Sequence, residues 1–364
     1  MNHAPHIGIL GMGTHLPSAV RTNHDVAREA GVPADWITER TGVLERRSAR
    51  PDQAASDLAA AAVEAACRAA GLDPGQLDLL LLATSTPDEL GPATACRVQA
   101  LTGAVNAVAL DVSAACSGWL FAAKVAHAWL ATTPGARYAA VVGVEAYSKF
   151  VDPAHRGTAV LFADGAAAGI LGPVPHGGFR GFRLGSDGRG AHHVLIPGGG
   201  SRIPASARSL AEGRHHIHMD GRAVGGFIAE IFPLIVERAL AEHDVDLKDI
   251  DAVITHQPNP LLLRTVADRI GIPADRLHIT GDLTGNIGAA SAPYALADAA
   301  ALGRLADGAR VLLCVFGAGL TWGTAHLTWT GAPSHHTHTA TRTEARTEAR
   351  TTQRTPLPRS TVQV

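Results

Sequence analysis

The chain has 364 residues, 46% apolar and 18% charged, with 31 Lys and Arg against 33 Asp and Glu. This composition excludes a disordered chain or a coiled coil, and a net charge of −2 argues against a general nucleic-acid or membrane-surface binder. No apolar run approaches the roughly 20 residues of a bilayer span, and the N-terminus lacks a signal-peptide layout. Cys67, Cys96, Cys116 and Cys314 are too sparse for a disulfide scaffold and form no Cys-x-x-Cys, so the expectation is a cytoplasmic protein without a structural metal.

In chain order, the first periodic segment predicts a helix over 56–70, with Ser56 or Asp57 as N-cap and Gly71 as stop. A short apolar run predicts a buried strand over 79–83, and another a strand over 107–112. Helical composition returns over 119–130 and over 227–242, where Pro233 predicts a kink or a late start. A strand follows at 252–255, a helix at 289–302 and a strand at 311–315. Asp73 and Asp78 precede the first buried strand as Asp246 and Asp251 precede its later echo, at an offset of 173 for both pairs. Helix, strand, helix, strand occurs twice, which predicts a duplicated α/β fold with a parallel or mixed sheet. Beyond Gly331 the chain is nearly free of apolar residues and repeats Thr-Glu-Ala-Arg, so 332–364 is expected to be a disordered tail. Its His335-His336-x-His338 group reads as solvated tail rather than a metal site.

Four places carry candidate chemistry. Cys116 lies between a strand and a helix among small residues. A helix N-terminus favours a thiolate there, so Cys116 is either an activated nucleophile or a buried structural cysteine. His256 ends a strand before a proline turn, as a catalytic group or a core histidine. Asn286 stands among glycines, as an amide donor or a turn cap. The loop 316–323, Phe-Gly-Ala-Gly-Leu-Thr-Trp-Gly, could aim N–H groups at an oxyanion or be a plain turn. No phosphate-loop or dinucleotide fingerprint is present. Adding 173 to 116 gives 289, so Cys116 and the Asn286 segment occupy corresponding places in the two repeats.

The segments GMGTHLPSAVRTN, DWITERTGVLERR, DVSAACSGW, DPAHRGTAVLFADGAAA, GSDGRG, THQPNP, GNIGAASAP and FGAGLTWG, in this order, resemble the ketoacyl-acyl-carrier-protein synthase III family of the thiolase superfamily. The resemblance implies a thiolase-like duplicated αβαβα fold. It implies an N-terminal half, 1–172, carrying the nucleophile and a C-terminal half, 173–331, carrying His and Asn. It further implies a homodimer that uses coenzyme A thioesters without a cofactor and works with acyl-CoA and acyl carrier protein.

In this frame Cys116 would be acylated. His256 and Asn286 would hold a malonyl thioester oxygen during decarboxylation, and the N–H groups of Cys116 and Ala318 would form the oxyanion hole. Trp36, Arg40, Arg156 and Arg222 would bind coenzyme A, while Gly91, Gly225 and Phe316 would shape the acyl pocket. Arg264 and Arg269 would meet the acidic carrier protein. The family often has Phe at the positions of Gly91 and Gly225, so a larger or branched acyl group is expected. Two other readings stay open: acyl transfer from Cys116 to a hydroxyl or amine with His256 as base, and a non-catalytic scaffold.

Overall fold

A computed structural model describes residues 6–336. The strand His6–His15 contains Gly11 and Gly13 because a helix lies directly on it. A Cβ at Gly11 would stand 2.5 Å from the Ala70 nitrogen, and one at Gly13 would stand 2.2 Å from that of Ala66. The helix is Ala55–Ala70, whose small side chains bury almost throughout, and Gly71 ends it in the left-handed region at φ 66°. Its N-cap is Ala54 rather than Ser56 or Asp57. Asp57 instead serves as the third residue and accepts from the Ala54 N–H at 2.7 Å.

The first sheet has the strand order Ser334–His336, His6–His15, Asp164–Val174, Ala139–Ala146, Leu79–Ala83, Val108–Val112. The second runs Gly178–Ser186, Thr321–Thr328, Arg310–Gly317, Ala252–Thr255, Leu277–His278. Leaving aside Ser334–His336, the two sheets share one pattern: antiparallel, antiparallel, parallel, parallel.

Alternation of side chains then sets the layers. In the first sheet Leu80 and Leu82 face Ala55–Ala70, while Leu79 and Leu81 face a central layer containing Trp119, Leu120 and Leu296. In the second, Ile254 and Leu313 face that same central layer, while Val253 and Leu312 face the helices Gly221–Glu242 and Pro260–Arg269. The result is five layers, αβαβα, with Gly118–Thr132 and Ser291–Ala301 as the shared middle.

Three further expectations change. The late helix begins at Gly221, earlier than 227, because Asp220 accepts from the N–H groups of Arg222 and Ala223, and Pro233 lies inside it. The helix expected over 289–302 opens as a separate turn, Gly288–Ala290, and continues as Ser291–Ala301. The core continues past Gly331: Ser334–His336 pairs in parallel with His6–His15, and Thr14 Oγ1 meets His336 Nδ1 at 2.7 Å. The rest of the expected tail, including His338, lies outside the described residues.

Candidate active site

Cys116 sits in a single turn, Ala115–Ser117, between the strand Val108–Val112 and the helix Gly118–Thr132. Ala115 has φ 47°, a left-handed conformation that a residue with a side chain adopts at a cost of about 1–3 kcal/mol. The surroundings hold this turn. Thr321 Oγ1 donates to the Ala114 carbonyl at 3.2 Å and lies 3.1 Å from Ser117 Oγ. The end of the strand Arg310–Gly317 presses against it, since a Cβ on Gly317 would stand 2.9 Å from the Cys116 nitrogen and 3.0 Å from that of Ser117. Only glycine leaves those amides space. Ala318 follows on the cavity wall.

Burial and a neighbouring carboxylate act against the expectation of a thiol lowered by the helix N-terminus. Burial, the charge of Glu145 and a weaker opposing hydrogen bond from Tyr147 leave the Cys116 thiol pushed up to about 12.

His256 follows the strand Ala252–Thr255, and its N–H donates to the Cys314 carbonyl at 3.1 Å. Its ring is buried and meets Phe316 edge-on at 5.8 Å between centroids. Burial drives its pKa down to about 3, against a smaller opposing contact with the Gly288 backbone, so the imidazole is neutral at physiological pH. A neutral imidazole presents one N–H donor and one acceptor nitrogen.

Asn286 is fixed by its backbone: its N–H donates to the Leu161 carbonyl at 2.8 Å, and its own carbonyl accepts from Ala163 at 3.0 Å. Its side-chain oxygen accepts from the Gly288 N–H at 2.9 Å. That bond assigns the amide orientation and leaves the NH2 group for the cavity.

Cys116, His256, Asn286 and Ala318 line one cavity of about 750 Å³. Trp36 and Arg40 line it too, four apart on the helix Ala34–Thr41 and so on one face, together with Arg156, Gly225 and Phe316. The remaining expected residues are elsewhere. Arg222 is exposed in the first turn of Gly221–Glu242 and off the cavity wall. Gly91 is in an exposed loop and also off the wall. Arg264 and Arg269 are exposed on Pro260–Arg269, where Arg269 reaches the Ala229 carbonyl at 3.5 Å.

Sequence reasoning missed a buried polar group behind the thiol. Glu145, fully buried, accepts from the Ser85 N–H at 3.1 Å and from Thr86 Oγ1 at 2.9 Å. Burial pushes its carboxyl up to about 7. Tyr147 and Ser85 are on the cavity wall beside it. The signal was available: a glutamate inside the otherwise apolar run Ala139–Ala146 is a charge that must be buried.

A thiol, a neutral imidazole and a carboxamide gathered from two copies of one βα pattern define a thiolase-fold condensing site. The comparisons with known proteins agree. The family models "3-Oxoacyl-[acyl-carrier-protein (ACP)] synthase III" and its C-terminal counterpart match residues 110–188 and 240–329. The chain is 41% identical over 326 residues to a beta-ketoacyl-[acyl-carrier-protein] synthase III of Symbiobacterium thermophilum, covering 89% of this chain and 98% of the relative. It is 40% identical over 324 residues to the acetoacetyl CoA synthase NphT7 of Streptomyces sp. strain CL190, covering 88% and 98%. Among solved structures it is similar to the priming beta-ketosynthase of the R1128 polyketide biosynthetic pathway, with a TM-score of 0.83 at 28% identity, covering 92% and 99%. The chain belongs to the ketoacyl-acyl-carrier-protein synthase III family, acyl-transferring condensing enzymes of the thiolase superfamily.

Proposed function

We propose that the protein primes a specialised fatty-acid or polyketide pathway by a decarboxylative Claisen condensation. The observation that most supports this is the convergence of Cys116, His256 and Asn286 on one cavity with Trp36, Arg40 and Arg156. The Cys116 sulfur attacks the carbonyl of an acyl-CoA, and coenzyme A leaves as the thiol. A malonyl thioester then binds with its thioester oxygen facing the His256 N–H and the Asn286 amide. The bond to its carboxylate breaks, carbon dioxide leaves, and the electron pair remains as an enolate held by those two neutral donors. The enolate carbon attacks the acyl-Cys116 carbonyl. The resulting oxyanion faces the N–H groups of Cys116 and Ala318, and it collapses to a 3-oxoacyl thioester and free Cys116.

In this reading the chain is two thiolase halves, 1–172 and 173–331, in the cytoplasm, acting on coenzyme A thioesters without a further cofactor. Trp36 and Arg40 sandwich the adenine by stacking, and Arg156, on the same cavity wall, binds coenzyme A as well. A larger or branched acyl group fits because Gly225 is on the cavity wall and a Cβ there would meet nothing within 4 Å. A homodimer accounts for the edge strand Val108–Val112: Val108 is 48% exposed, and Leu90, in the loop after Leu79–Ala83, is 84% exposed, whereas the corresponding edge Leu277–His278 is buried. The partner copy would then close the acyl pocket beside Gly91. The malonyl group arrives on acyl carrier protein, docked by Arg264 and Arg269. Similarity to an acetoacetyl CoA synthase favours a second reading in which it arrives on coenzyme A.

One experiment tests both readings. Intact-protein mass is measured after incubation with a mixed acyl-CoA pool, and carbon dioxide release is then followed with malonyl-carrier protein and with malonyl-CoA. The proposal expects a mass increase on Cys116 from a branched or longer acyl group, then release from the carrier thioester. Release from malonyl-CoA alone selects the second reading. Preference for acetyl removes the wide-pocket argument, and an acylated enzyme that releases no carbon dioxide from either donor removes condensation.

A further inference from the structure

Arg46 lies on the short strand Glu45–Ser48 and is 1% exposed, yet its hydrogen bonds all go to uncharged oxygens. The neighbouring Glu45 pairs with Arg47 instead, at 3.2 Å. One guanidinium nitrogen of Arg46, Nη2, donates to Asn23 Oδ1 and to the Val160 carbonyl, both at 2.9 Å, and Nη1 reaches the Arg21 carbonyl at 3.4 Å. Its Nε is buried without a partner. A buried cation with only neutral partners is costly, and an apolar side chain would fill the same space without that cost. What the guanidinium supplies instead is two donors on one fixed atom. The two acceptors lead in different directions. Asn23 Nδ2 donates onward to Thr38 Oγ1 at 2.9 Å and to the Val43 carbonyl at 2.8 Å, and Thr38 lies between Trp36 and Arg40 on the helix Ala34–Thr41. Val160 precedes Leu161, whose carbonyl accepts from the Asn286 N–H at 2.8 Å. Gly285 rests on the same place: a Cβ there would stand 2.9 Å from the Leu161 carbonyl oxygen and 3.1 Å from the Arg46 Cβ.

We infer that Arg46 is a positioning residue that joins the helix Ala34–Thr41, through Asn23 and Thr38, to the Asn286 donor, through Val160 and Leu161. The inference rests on the condensation reading, in which Trp36 and Arg40 hold coenzyme A and Asn286 holds the malonyl thioester oxygen. The two arms affect different steps. The Asn286 amide must stand within hydrogen-bond distance of the oxygen as charge develops on it, so a displaced Asn286 lowers the rate of decarboxylation more than it weakens binding. The helix touches no reacting atom, so a displaced helix weakens acyl-CoA binding and leaves the chemistry of acylation as it was. The Cys116 turn is held by other contacts, from Thr321 and against Gly317, and neither arm passes through it.

The test separates the two half-reactions in the full-length protein and in Arg46→Met and Thr38→Val, with urea midpoints to establish that each variant is folded in the assay. Loading of Cys116 by acetyl-CoA and by isobutyryl-CoA is followed by intact-protein mass. Carbon dioxide release from saturating malonyl-carrier protein and malonyl-CoA is then measured per loaded enzyme. In Arg46→Met the half-saturating acyl-CoA concentration rises by about tenfold and carbon dioxide release falls by about tenfold, while the maximal loading rate stays within about twofold of wild type. In Thr38→Val, which cuts only the helix arm, the half-saturating concentration rises by about threefold and release is unchanged. A merely structural arginine would lower the maximal loading rate together with release. That outcome overturns the inference, as does an Arg46→Met that loads and releases like wild type, or a Thr38→Val whose half-saturating concentration does not move. If Arg46→Met does not fold, Arg46→Lys, whose stem ends one atom short of Nη2, takes its place and is judged by the same outcomes. A wild type that loads but releases no carbon dioxide from either donor is a different failure: it removes the condensation reading, and the inference falls with it.

Discussion

In the first half a short turn, Ala115–Ser117, precedes the central helix Gly118–Thr132; in the second, Gly288–Ala290 precedes Ser291–Ala301. The offset of 173 carries Cys116 onto Ala289, and carries Ala83, the last residue of Leu79–Ala83, onto His256. Each turn presses on a glycine of the other half: Cys116 on Gly317, and Ala289 on Gly143, where a Cβ would stand 2.4 Å from the Ala289 carbonyl oxygen. The scaffold is therefore used twice, and the chemistry is divided between the copies. One copy keeps the thiol and has alanine at the histidine position; the other keeps the histidine and has alanine at the thiol position. A pseudo-twofold axis is enough to bring the two retained groups into one cavity.

Replacing each retained group with its opposite number breaks this division most directly. Cys116→Ala makes the first turn like the second. The acyl mass increase then disappears and carbon dioxide release falls by at least about 10³-fold. His256→Ala makes the second strand end like the first. Condensation falls by about 10²–10³-fold, while acylation of Cys116 persists in intact-protein mass spectra. Loss of acylation in His256→Ala would mean that the histidine serves the thiol rather than the malonyl group.

Gly143→Ala tests the scaffold instead of the chemistry. Its methyl meets backbone, so overpacking lowers stability by about 1–3 kcal/mol in urea unfolding. Gly225→Ala points into open space and should stay within about 0.5 kcal/mol of wild type. Equal stability of the two variants would show that the Ala289 turn gives way easily, and that the close contact between halves is not what fixes the site.

The repeated architecture was legible because its strands are short, continuous apolar runs with Asp-containing turns at one fixed offset. Leu79–Ala83 and Ala252–Thr255 appear where the pattern puts them. Cys116, His256 and Asn286 were legible because each follows a strand and stands among small residues or before a proline. Two kinds of information were not. The surroundings of the thiol include Glu145, which belongs to a different strand and raises the thiol, a contribution the local sequence around Cys116 does not display. The start of Gly221–Glu242 was hidden by Gly221, Gly225 and Gly226, which lower helix propensity, although the Asp220 cap offsets them. Ser334–His336 was hidden because an edge strand can be polar, and pairing with His6–His15 supplies what its side chains do not.

The last prediction separates His256 and Glu145 by the sign of their pH dependence. His256 is held neutral, with its pKa depressed to about 3 from 6.5. Between those values the unfolded chain binds a proton that the folded chain does not, so stability falls as pH falls, by at most about 1.4 kcal/mol per unit. Glu145 is raised to about 7 from 4.5. Between those values the folded chain binds the extra proton, so stability rises as pH falls. Across pH 4.5–6.5 the two oppose each other in the wild type. His256→Asn should therefore gain stability relative to wild type on acidification, and Glu145→Gln should lose it, as read from urea midpoints at pH 4.5, 5.5 and 6.5. A His256→Asn curve parallel to wild type would mean that the imidazole protonates freely in the folded protein, and a charged ring there would no longer match the neutral-donor role assigned to it.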